Sequence, residues 1–182
     1  MKKILLLFII VLSSTAAIAQ ENRITLSGGY VFTNVEAADV NATGFRINGL
    51  YEFNPMSGNL AHGFSIGFLQ TKGSSAVTGS DYTLNSWPVY YAPKYHFGSD
   101  KIKGFIKGAL GMHSSNYKRT GSLGNDAESR DWGFYGGAGA GFMVFLKENL
   151  FLNAEYEWAY LSNSYYQDGF VNSVMGGIGF KF

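Results

Sequence analysis

From residue 23 onward, apolar and polar side chains alternate with period two in segment after segment. No stretch beyond residue 20 is apolar for long enough to form a membrane-spanning helix. Period two is the signature of a β-strand whose two faces meet different surroundings. The pattern predicts eight strands, at 23–33, 43–54, 63–70, 84–97, 103–113, 132–145, 150–162 and 170–182. In the first, Ile24, Leu26, Gly28, Tyr30 and Phe32 share one face, and Thr25, Ser27 and Gly29 lie opposite. In the seventh, Leu152, Ala154, Tyr156, Trp158 and Tyr160 oppose Asn153, Glu155 and Glu157. Pro88 and Pro93 both fall in the fourth. Proline has no N–H to give to a ladder, so this strand is expected to be bulged or to begin later than the pattern suggests.

The connections alternate in length. Those near 34–42, 71–83, 114–131 and 163–169 are long and polar, and those near 54–62, 98–102 and 147–149 are shorter. Long loops on one side and short turns on the other fit an antiparallel, up-and-down transmembrane β-barrel of about eight strands. The fold class is therefore all-β, in one domain over residues 20–182. The face opposite the apolar one carries Arg46, Glu52, Lys94, Lys107, Glu155, Glu157 and Lys181. An Arg or Lys turned toward lipid at the bilayer midplane costs roughly 2–4 kcal/mol. These charges are accordingly expected in the lumen, with Arg46, Lys94 and Lys107 pairing with Glu52, Glu155 and Glu157 and plugging it. Gly137, Gly139 and Gly141 also face inward in this reading and leave room for neighbours.

If the chain starts on the periplasmic side, Trp87, Trp132 and Trp158 all fall at the outer rim. Tyr51, Phe53, Tyr95, Phe97, Phe180 and Phe182 then fall at the inner rim. Two aromatic belts are expected where amphipathic rings meet lipid headgroups. The N-terminus adds an address. Lys2 and Lys3 precede an apolar run from Ile4 to Leu12, and Ala17-Ile18-Ala19 supplies a signal-peptidase pattern. Residues 1–19 thus read as a signal peptide, too short in its apolar part to span a membrane. Lys2 and Lys3 are two of the 14 basic residues, so cleavage leaves 12 against 13 acidic ones. No basic surface for nucleic acid is implied.

There are no cysteines, which removes disulfides, thiolate metal sites and a cysteine nucleophile. His62, His96 and His113 have no second ligand at metal spacing, and no cofactor is expected. The Gly-rich run from Gly136 to Gly141 lacks the spacing and the Lys-Ser or Lys-Thr of a phosphate loop. One hydrolytic arrangement remains: His113 and Ser115 share a strand face and Glu128 follows. This loosely resembles the His-x-Ser plus Glu set of outer-membrane lipid A deacylases, with base, nucleophile and orienting acid in that order. A Ser-rich strand end is the simpler account, and the chain is not expected to be an enzyme.

The last residues, Ile178-Gly179-Phe180-Lys181-Phe182, alternate and end in phenylalanine. Here the chain resembles the small bacterial outer-membrane barrels of the OmpX and OmpA transmembrane-domain type, over essentially its whole exported length. Gln20 after the cleavage site gives it a Bacteroidetes-like look. The resemblance implies a Gram-negative outer-membrane location, contact with outer-membrane lipids and lipopolysaccharide, and recognition of Phe180 and Phe182 by the barrel-assembly machinery. One departure from the family is expected: no periplasmic peptidoglycan-binding domain follows the barrel, so cell-wall tethering is not implied. The function expected is structural or interactive at the cell surface: envelope integrity, adhesion or an assembly subunit, with any surface or host protein partner unidentified. The alternative is a narrow porin-like channel or small-solute transporter. A closed barrel should resist cold SDS. The folded protein is expected to run faster than the boiled one on a gel, and a mobility unchanged by boiling would count against the barrel.

Overall fold

A computed structural model describes residues 21–35, 40–55, 58–75, 79–121, 127–163 and 165–182. The signal peptide assigned to residues 1–19, and Gln20, lie outside the described residues. Within them the chain is all strand: β1 (Glu21–Val35), β2 (Val40–Asn54), β3 (Leu60–Ser75), β4 (Ser80–Tyr91), β5 (Lys94–Gly98), β6 (Ile102–Gly121), β7 (Ala127–Lys147), β8 (Leu150–Leu161) and β9 (Tyr166–Lys181). Every pairing is antiparallel, and β1 pairs with both β2 and β9, which closes the sheet into a ring. β4 and β5 are successive parts of one stave, since each pairs with β3 on one side and β6 on the other. Nine strands thus make eight staves.

The stave containing the prolines is neither bulged nor late. It begins at Ser80, and β5 keeps the register of β4 against β6, Tyr91 opposite Leu110 being followed by Lys94 opposite Lys107. Even-numbered residues of this stave bond toward β3, as Ala92 N to Gly63 O (2.8 Å) and His96 N to Asn59 O (2.7 Å) show. Residue 93 bonds toward β6, where Gly108 N donates to Pro93 O at 2.9 Å. Pro88 therefore removes one bond on the β3 side, and ladder pairing there stops at Ile66–Val89 and resumes at Leu69–Ser86. Pro93 removes one on the β6 side. Each proline faces a glycine across the lost bond: a Cβ at Gly67 would lie 3.4 Å from the Pro88 ring, and one at Gly108 would lie 3.5 Å from the Pro93 ring.

The strands also run further than alternation indicated. The expected long loops at 71–83 and 114–131 fold largely as strand, with β3 continuing to Ser75, β4 starting at Ser80, β6 reaching Gly121 and β7 starting at Ala127. β9 likewise begins at Tyr166, inside the expected loop at 163–169. Here the outward face is polar, so the apolar outward row that marks a membrane strand disappears while backbone pairing continues. Tyr82, Tyr117 and Tyr165 stack within this extension, with ring centroids 6.1 and 5.1 Å apart.

Following cross-strand partners once around the ring, from Ile24 through Tyr51, Phe64, Tyr91, Leu110, Gly136 and Tyr160 to Phe170, leads back to β1 one position above Thr33. That is ten residues above the start. Such a stagger requires strands tilted by roughly 35–45° to the barrel axis. Outward residues are apolar and accessible, among them Ile66 and Trp132 at 65%. Inward ones are buried. Val31, Leu69, Leu84, Tyr135, Leu161 and Tyr166 belong to one apolar cluster, and Phe105, Met143 and Phe151 form a second.

An eight-stave barrel is only wide enough for its own side chains, and inward glycines set where large ones fit. A Cβ at Gly141 would sit 2.2 Å from Ala154 O and 2.6 Å from the Phe105 ring, whereas one at Gly176, on the outward face of β9, would come no nearer than 3.9 Å to anything. Gly141→Leu is expected to lower unfolding stability in lipid vesicles by about 1–3 kcal/mol through overpacking. Gly176→Ala should leave the urea midpoint unchanged. Equal midpoints for the two variants would refute this packing account.

Candidate functional site: ion clusters inside the barrel

Strand alternation turns Arg46 of β2, Tyr90 of β4, Lys107 of β6, Tyr135 of β7, and Glu155 and Glu157 of β8 into the lumen, where all six are buried. Arg46 Nη1 donates to Glu157 Oε1 at 2.6 Å and Nη2 donates to the Tyr90 hydroxyl at 3.0 Å. The Tyr135 hydroxyl donates to Glu157 Oε1, and Lys107 Nζ pairs with both Glu155 and Glu157. The Tyr90 and Tyr135 rings stack at 4.8 Å, and the guanidinium lies 5.9 Å from each centroid. Two cations meet two carboxylates, so the cluster is neutral and each buried charge has an opposite partner, as burial demands.

A second cluster lies nearer the end where the chain enters and leaves. Lys94 Nζ donates to Glu52 Oε2 at 2.9 Å and sits 4.3 Å from the Phe105 ring centroid. His96 Nε2 is 3.1 Å from Glu52 Oε1 and 3.0 Å from Arg23 Nη1, and Arg23 also pairs with Glu21. Lys181 joins the second cluster only at its exposed edge, through Glu21. As the last residue of β9 it reaches the mouth, one-third exposed, and donates to Glu21 at 2.8 Å. A cavity of about 330 Å³ opens at this mouth, lined by Glu21, Arg23, Asn54, His96, Asp100 and Lys103 among others.

Sequence reasoning missed Arg23, His96, Tyr90 and Tyr135 as partners in these clusters. Parity alone would have found them, because each shares the inward alternation of its strand; the two tyrosines were hidden by counting as apolar. The aromatic residues expected in belts all face outward. Trp87, Trp132 and Trp158 are 43%, 65% and 44% exposed, and the first two both oppose Ser114 of β6. Tyr51, Phe53, Tyr95, Phe97, Phe180 and Phe182 lie at or just beyond the final residues of β2, β5 and β9.

The hydrolytic arrangement does not assemble. His113 Nδ1 lies 2.9 Å from Ser115 Oγ, but both are fully buried in the lumen, where Ser115 also meets Ser86 at 2.6 Å. Glu128 is exposed and accepts from Asn116 Nδ2 at 3.0 Å. Asn116 and Glu128 carry the even parity of the outward face, so the acid never reaches the imidazole. Among the described residues no group of three His, Asp or Glu side chains forms a metal site.

A closed ring of tilted staves, apolar outside and ionic within, is matched by residues 4–182 to the outer membrane protein beta-barrel domain. The chain belongs to that family. As an outer membrane protein beta-barrel it lies in the bacterial outer membrane, and solved structures of small outer-membrane barrels share its fold. Neisserial surface protein A is 15% identical with a TM-score of 0.64, covering 88% of this chain and 97% of its own. Ail, the attachment invasion locus protein of Yersinia pestis, is 23% identical with a TM-score of 0.56, covering 90% and 100%. A major outer membrane protein of Thermus thermophilus is 11% identical with a TM-score of 0.57, covering 88% and 99%. No curated protein matches the sequence.

In this outer membrane protein beta-barrel, Glu157 pairs with both cations of the first cluster. Glu157→Gln keeps the volume but leaves Arg46 and Lys107 short of a carboxylate. The expected loss is about 3–5 kcal/mol of unfolding free energy, as for other broken buried pairs. Adding Arg46→Met should recover part of it. Urea titration of the variants in lipid vesicles reads both effects, and a wild-type midpoint for Glu157→Gln would show that the cluster contributes nothing.

Proposed function

We infer that this protein is a closed outer-membrane barrel whose role is carried by its outside: envelope integrity, adhesion or membership of a surface assembly. One observation carries the reading. At the level of Arg46, side chains from five strands meet with almost no exposed surface, Arg46 at 1%, Tyr90 at 2%, Lys107 at 4%, and Tyr135 and Glu157 at 0%. A solute passing this level would have to part Arg46 from Glu157 and leave both charges buried and unpaired. Two proteins with this fold are named as a Neisserial surface protein and a Yersinia attachment invasion locus protein, which supports the reading. Phe180 and Phe182, outward at the end of β9, serve in this reading as the signal to the barrel-assembly machinery, and the aromatic rings on both ends seat the barrel among outer-membrane lipids and lipopolysaccharide.

Planar-bilayer recording tests the closed lumen. Purified monomer is expected to give no stable single-channel currents at neutral pH. Steady currents of uniform size would replace this reading with that of a narrow pore.

A further inference from the structure

The two ion clusters differ in their balance. In the first, two cations meet two carboxylates. In the second, the cations Arg23, Lys94 and Lys181 share Glu21 and Glu52 as their only carboxylates among the described residues, and His96 adds no negative charge. Arg23, Lys94 and Glu52 are almost fully buried, so the surplus positive charge sits where water screens it poorly. That surplus borders the 330 Å³ cavity at the mouth, which Arg23 and His96 help to line.

Unmet hydrogen bonding lies at the same place. Arg23 Nε and His96 Nδ1 are buried and have no partner among the described residues. Arg23 Nη1 can only donate, so its 3.0 Å contact makes His96 Nε2 the acceptor and leaves the ring hydrogen on Nδ1. Both unmet groups are therefore donors. Lys103 and Asp100 also line the cavity, and neither has an ion-pair partner among the described residues; the Lys103 ammonium meets only the Phe145 ring, 5.8 Å from its centroid.

Two turns make the walls. Across the β2–β3 connection Asn54 Nδ2 donates to Gly58 O at 2.5 Å, and His96 N donates to Asn59 O at 2.7 Å. The β5–β6 turn is held by Ser99 N, which donates to Ile102 O at 2.9 Å, and by Gly98 at φ 110°, where a Cβ would lie 2.7 Å from Ile102 O. The walls are thus set by backbone, and a preformed cleft with a few convergent polar groups is what a small-molecule site requires. At about 30 Å³ for each water-sized group, the cavity has room for roughly ten of them.

We propose that this cavity binds a small hydroxylated carboxylate of the sugar-acid class, one monoanion per barrel. Its carboxylate, seated between Arg23, His96 and Lys103, supplies the negative charge that the second cluster lacks. Its hydroxyls meet Asp100, Asn54 and Asn59, which offer acceptors and donors. A neutral sugar leaves the surplus in place, and a bare anion leaves Asp100 unserved. The site lies at the opposite end from the extended hairpins, does not rest on the surface role proposed above, and needs no open lumen.

The test titrates the full barrel in lipid nanodiscs with D-glucuronate and follows the His96 ring and the backbone amides by NMR. Saturable shifts are expected at His96, Gly98 and Lys103, and none at Ser115 or Lys118. D-glucose keeps the hydroxyls without the carboxylate, and acetate keeps the charge without the hydroxyls; each is expected to bind wild type at least tenfold more weakly than glucuronate. Lys103→Gln and Asp100→Asn, at positions that are not buried, should each weaken glucuronate at least fivefold. Lys147→Gln, outside the cavity, should bind like wild type. Heat-dependent gel mobility checks that each variant is folded. Shifts that never saturate, or both cavity variants within twofold of wild type, would overturn the proposal. So would glucose or acetate binding within twofold of glucuronate, the latter assigning the mouth to small anions at large. A conducting lumen would show as currents and would leave these outcomes unaffected.

Discussion

Everything in this molecule follows from the requirement that no backbone donor or acceptor be left facing hydrocarbon. A sheet meets it only by closing, and closure here is the pairing of β1 with β9. Once closed with eight staves and a ten-residue stagger, the interior has a fixed and small width. The inward alternation of each strand must then fill that width with whatever side chains it supplies. Arg46, Lys107, Glu155 and Glu157 are tolerable inside because they arrive together and balance, with the Tyr90 and Tyr135 hydroxyls satisfying oxygens and nitrogens that the ions leave over.

The same constraint decides which chemistry is accessible. His113 and Ser115 have the spacing and contact of a catalytic pair, yet alternation turns them into a packed lumen and sends Glu128 the other way. The exposed polar side chains lie instead on the outer wall and the extended hairpins. There the side chains face lipid headgroups or the medium, and pairing within the protein is incomplete.

Much of this was legible in the sequence, because a membrane strand is written as a contrast between its faces. Ile24, Leu26 and Tyr30 against Thr25 and Ser27 is such a contrast, and it fixed strand existence and facing from β1 to β9. It failed where the outward face turns polar: the outer parts of β3, β4, β6 and β7 carry Lys72, Thr83, Lys118 and Glu128 there and read as loops. Alternation also cannot give height. Lys181 has the right parity for the lumen but sits at the last residue of β9, so it meets the second cluster only through Glu21 at the mouth. Pairing register, and with it the stagger and the rows of outward residues, depends on contacts between distant strands that no single segment encodes.

The two prolines of the fourth stave leave the carbonyls of Gly67 and Gly108 without their ladder donors, one on each side. This stave is unfastened once toward β3 and once toward β6, five residues apart. The wall therefore has a line of least cohesion running obliquely across β4 and β5. Lateral pressure from a thinning or thickening bilayer falls there on a seam with two fewer ladder bonds than its register would allow.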